Sequence, residues 1–96
     1  MEYRLWITVP DLPLEAEATW TPFIKHLEQA HADMGPILSW DGEDAVVVMS
    51  TEAVDDVAAG RRGLSAVTEA LETAKIDRHI SSLRFDHAES REPVHA

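Results

Sequence analysis

The chain has 96 residues, 45% of them hydrophobic, with 8 basic and 18 acidic side chains, a net charge of −10 and no cysteine. That length allows one core and no second domain, and the apolar fraction is too high for disorder across the body. The charge argues against binding nucleic acid, where cations must displace counterions, and the missing cysteines exclude disulfides, thiolate metal sites and thiol catalysis.

Residues 3–9 alternate with period two and are rich in β-formers, which predicts a strand with Tyr3, Leu5, Ile7 and Val9 on one face and Arg4, Trp6 and Thr8 on the other. Pro10 and Pro13 close it. Over 14–33 a helical stripe runs through Trp20, Phe23 or Ile24, Leu27, Ala30 and Met34. Pro22 complicates that helix, since Thr21-Pro22 reads equally well as the cap and first residue of a helix over 22–33. The stripe reaching back to Trp20 favours a longer, kinked helix from about residue 14, ended by Gly35-Pro36.

Residues 37–41 form a short strand, and Asp41-Gly42 signals a hairpin into the apolar run 45–51. That run suits a central strand, but four consecutive apolar residues fit both registers, so its inward face stays open. Asp55 or Asp56 caps a helix to about Ala74 with Val57, Leu64, Val67 and Leu71 on its buried side. Within it Gly60 and Gly63 mark close packing or a break. Residues 80–86 form a last strand, and 88–96 a frayed polar tail.

The order β-α-β-β-α-β resembles the split unit of ferredoxin-like folds. The resemblance implies an α+β two-layer sandwich over residues 1–87, with sheet order 4-1-3-2 and two helices on one face. Polarity agrees, because the first and third strands are the apolar pair and the last carries serines, Arg84 and Asp86, as an edge strand does. No 18-residue apolar run offers a membrane span, and the N-terminus does not read as a signal peptide, so a cytoplasmic location is expected. Arg outnumbers Lys six to two, which is compatible with a bacterial or phage origin.

Functions known on this fold need their own residues. The first loop, Pro10-Asp11-Leu12-Pro13, lacks the glycines and arginine of an acylphosphatase-like phosphate loop. The third strand has no aromatic on which an RNA base could stack, and heavy-metal-binding domains of this shape need two cysteines. His26 and His31, five apart on one expected helix, should point to different faces and share no metal. His79, His87 and His95 read as scattered. Asp41-Gly42-Glu43-Asp44 lacks calcium-loop spacing, no serine sits in a nucleophile elbow, and Arg61-Arg62 reads as solvated charge. No catalytic, cofactor-binding or metal-binding residue is therefore assigned.

The suggestive feature is the sheet face away from the helices. If Tyr3, Leu5 and Ile7 point inward, Trp6 points outward on a central strand, and an apolar patch there marks an interaction surface. Arg4, Trp6, Thr8, Val46, Val48 and Arg84 are the expected surface. The expected function is a non-enzymatic interaction or regulatory module that binds a protein partner or pairs as a homodimer, without nucleic acid, membrane or cofactor. One alternative is a small-molecule binder or cofactor-independent enzyme similar to the dimeric α+β barrels, with a pocket at Trp20, Phe23, His26 and Trp40. Another is an acidic phage or mobile-element inhibitor of a basic host surface.

Overall fold

The alternation of the opening segment becomes a strand, β1 (Glu2–Val9), in which Tyr3, Leu5, Ile7 and Val9 are buried and Trp6 and Thr8 half-buried. The computed structural model describes residues 1–87. After β1 come α1 (Glu17–Ala30), a 3-10 turn (Ala32–Met34), β2 (Ile37–Asp41), β3 (Asp44–Glu52), α2 (Asp56–Thr73) and β4 (Ser82–His87). All four strands pair antiparallel in one sheet ordered β2-β3-β1-β4. The protein is thus an α+β sandwich with β1 and β3 central, the order expected from strand polarity. Among the described residues no helix is long and apolar enough to cross a membrane.

Register settles the face of β3 that the apolar run left open. Leu5 pairs with Met49 and Ile7 with Val47, so Ala45, Val47, Met49 and Thr51 face the helices and are buried. Val46 and Val48 are left outward, opposite Thr8 and Trp6. Phe23 and Leu27 of α1 and Val67 of α2 are fully buried in the same core cluster as Leu5 and Ile7. Each such side chain contributes about 1.5–3 kcal/mol by leaving water. The hairpin loop is Gly42-Glu43, between the paired Asp41 and Asp44. Gly42 has φ 65°, at the first loop position, where a tight hairpin takes glycine.

Three expectations need correction. The first helix does contain Pro22, as its stripe suggested, but it begins at Glu17 and not near residue 14. The preceding residues form a turn instead. Leu12 is buried, with its N–H donating to Glu43 O, and Ala16 N–H donates to Pro13 O. The helix also stops at Ala30, because His31 leaves helical geometry (φ −132°, ψ 41°); Gly35, at φ 58°, closes the 3-10 turn that follows. In α2, Val57 is 62% exposed and not on the buried side. The buried residues are Ala59, Gly60, Gly63, Ala66, Val67, Ala70 and Leu71; Val67 and Leu71 are inward as expected, and the small residues beside them let the helix lie close to the sheet. The last strand starts at Ser82 and reaches His87. The tail expected at 88–96, with His95, lies outside the described residues.

Candidate functional site

The face of the sheet away from the helices is built by the even positions of β1. Register places Ile37, Val48, Trp6 and Arg84 in one row across all four strands, and Ser39, Val46, Thr8 and Ser82 in the next. Arg4 lies between Ser50 and Asp86 in the row on the other side. The six residues singled out from the sequence, Arg4, Trp6, Thr8, Val46, Val48 and Arg84, therefore share one face. The guanidinium carbon of Arg84 sits 4.6 Å from the Trp6 ring centroid, a cation–π distance. Trp6, Thr8, Asp41, Val46, Ser82 and Arg84 line a hollow of about 200 Å³.

Trp20, Phe23, His26 and Trp40 are not gathered around one space. Trp20 and Trp40 pack on each other with ring centroids 5.1 Å apart. Each indole N–H is satisfied by backbone, Trp20 donating to Leu14 O at 3.0 Å and Trp40 to Leu12 O at 2.8 Å. Phe23 is sealed in the core. His26 looks the other way, toward α2.

There it meets His31 and Glu69. The expectation that the two histidines point to different faces fails, because α1 ends between them. Had the helix continued, five residues would have turned the second imidazole away; the non-helical dihedrals at His31 swing it back to the same side. Their rings lie 6.3 Å apart. His31 Nε2 donates to Glu69 Oε1 at 2.9 Å, and His26 Nε2 lies 3.7 Å from Glu69 Oε2, beyond hydrogen-bonding reach. His26 Nε2 is itself out of contact with solvent and has no hydrogen-bond partner. One nitrogen from each ring and one carboxylate oxygen lie within 4.8 Å of one another. The His31 hydrogen bond, aided by charge on both imidazoles and opposed by partial desolvation, holds the Glu69 carboxyl below its ordinary value of 4.5.

His31 also borders an open groove of about 480 Å³ between the 3-10 turn and α2, lined by Asp33, Met34, Arg61, Arg62, Ser65 and Ala66. Arg61, Ser65 and Glu69 are spaced four apart and so stand along one ridge of α2. Sequence reasoning missed this constellation because Glu69 is 38 residues from His31, and only the cap geometry brings them together. No family model, no curated protein and no solved structure matches the chain.

Proposed function

We propose that this chain is a small acidic interaction module on a ferredoxin-like fold, which pairs with a second copy of itself through the open face of its sheet. The observation that carries the reading is where the acids on that face stand. In a chain of net charge −10, the two central rows, Ile37-Val48-Trp6-Arg84 and Ser39-Val46-Thr8-Ser82, hold none. Glu2 and Glu52 pair at one end of the face, Asp86 stands opposite Arg4 in the row beside the Trp6 row, and Asp41 and Asp44 pair at the other end. An acid-free centre with an indole and an arginine, rimmed by charge, is the anatomy of an interface. Two-fold pairing sets a patch against itself, so a centre free of acids spares it like-charge contacts. Ile37 adds apolar surface at the β2 edge, 63% exposed.

The acidic-inhibitor alternative needs the acids of 11–33 and 41–44 on one surface. Asp11 does meet the hairpin, its N–H donating to Asp44 Oδ1 at 3.1 Å. Glu28, in the last turn of α1, and Asp33, in the 3-10 turn beyond it, follow the far end of that helix.

Sedimentation equilibrium on wild type, Trp6→Ala and Val48→Glu tests the reading. Wild type should have twice the chain mass of 10.7 kDa, and both variants should be monomers with unchanged far-UV circular dichroism. Added salt should strengthen the wild-type pair, because screening relieves repulsion between two acidic bodies. A monomeric wild type, or a dimer indifferent to both substitutions, removes pairing through the sheet.

A further inference from the structure

We propose that His26, His31 and Glu69 bind one divalent first-row transition ion, zinc being the ion to test, at the seam between α1 and α2. Two imidazoles and one carboxylate are the donor types such ions take, and three protein ligands leave a fourth position for water or an exogenous ligand. The site is independent of the sheet face, since its residues come from the helices and the cap that ends α1.

Three observations carry the assignment. The first is convergence: one ligand atom from each side chain falls within 4.8 Å of the others. Around an ion with bonds of about 2.0–2.2 Å, tetrahedral ligand atoms stand roughly 3.4 Å apart. His26 Nε2 stands 3.7 Å from Glu69 Oε2 and His31 Nε2 2.9 Å from Oε1, and a set whose atoms lie within 4.8 Å of one another reaches that spacing by a carboxylate turn and a shift of about an ångström. Glu69 is exposed and His31 sits on a non-helical cap residue, so neither is locked by core packing.

The second is His26 Nε2. A buried polar atom with no partner costs about 1–3 kcal/mol and calls for an explanation. This nitrogen is shielded from solvent and makes no hydrogen bond, its nearest acceptor being the Glu69 carboxylate oxygen 3.7 Å away, within ion-pair but not hydrogen-bond distance. A metal ion between the two satisfies both. The third is access: His31 borders the groove shared with Arg61, Arg62 and Ser65, through which an ion and its fourth ligand approach from solvent. The two arginines there favour an anion or hydroxide in that position.

The test is calorimetric titration of Zn²⁺ into the untagged full chain, with Co²⁺ absorption to report the ligand field. One ion per chain is expected, with affinity falling as the pH is lowered, because the imidazoles must lose their protons to bind. His26→Ala, His31→Ala and Glu69→Gln should each weaken binding by more than about tenfold, the loss that even an outer-shell partner produces. His79→Gln, an exposed histidine outside the cluster, should leave the affinity unchanged. If His26→Ala fails to fold, Glu69→Gln decides alone, since that side chain is exposed. No saturable binding of a single ion overturns the proposal, and so does an affinity that survives Glu69→Gln and His31→Ala, which would place the ion elsewhere.

Discussion

Gly63 of α2 lies so close over β1 that a Cβ added there would stand 2.5 Å from Leu5 Cδ1 and 3.0 Å from Ile7 Cδ1. Both leucine and isoleucine are fully buried, so neither has free space to move into. Alanine is the better helix former by about 1 kcal/mol, but overpacking a filled core costs about 1–3 kcal/mol. Gly63→Ala should therefore lose about 1 kcal/mol net, read as a lower urea midpoint with an unchanged slope.

Gly60 is the control for that argument. A Cβ there would meet Leu83 Cδ2 at 3.2 Å, and Leu83 is only partly buried, on the edge strand β4. It can yield by a few tenths of an ångström. Gly60→Ala should be neutral or more stable by up to about 1 kcal/mol. If both glycine variants gain stability, the close approach of α2 to the sheet is wrong.

Asp55 caps α2 through its side chain, which accepts from Ala58 N–H at 2.9 Å. Asp55→Ala should cost about 1 kcal/mol, about 4–8 °C in melting temperature for a domain of this size. Asp56, the first helical residue, retains only a favourable position near the positive end of the helix dipole, so Asp56→Ala should cost about 0.3–1 kcal/mol. A thermal scan in which Asp56→Ala is the more damaging would assign the cap to the wrong aspartate.

These contrasts show which parts of the fold were legible in the residues themselves. Period-two alternation over 3–9 placed Trp6 outward, and Asp41-Gly42 located the hairpin, because both signals are local. The buried side of α2 was legible at Val67 and Leu71 but not at Val57, because a hydrophobic stripe is read from large residues. Here the sheet selected glycine and alanine for contact and left Val57 in water. His26 and His31 were separated on paper by assuming one continuous helix; a single non-helical residue at the cap reversed that geometry. Glu69, far along the chain, had no local signal that would link it to either.

Glu69 makes stability depend on pH in a defined direction. Its carboxyl is held below 4.5 in the folded chain, first by the His31 hydrogen bond and then by charge on His26 and His31. A depressed folded value means that the contribution is present in full above 4.5. It is lost as pH falls through the lowered value, where the folded state must also take up the proton. In metal-free protein, the stability difference between wild type and Glu69→Gln should hold near neutrality and shrink progressively below pH 4.5. A difference that widens on acidification would contradict the sign.

Pro22 stands inside α1, as its sixth residue, with its ring on the exposed side. It has no N–H to donate, so the Ala18 carbonyl one turn back lacks its helical donor, and the ring crowds that same carbonyl. Thr21 adds a further distortion, its hydroxyl donating to Glu17 O at 2.7 Å. Replacing Pro22 by alanine restores the donor and relieves the clash, a gain of up to about 3 kcal/mol in a helix interior. Greater freedom of the unfolded chain offsets about 0.4–1 kcal/mol of it. Pro22→Ala should thus raise stability by about 1–2 kcal/mol, with slower amide exchange in the first turn and a half of α1. A loss of stability would mean that the proline is needed where it stands, most directly to keep Trp20 against Trp40 while Phe23 and Leu27 stay in the core, and that the chain tolerates a missing helical hydrogen bond in order to close that end of the sandwich.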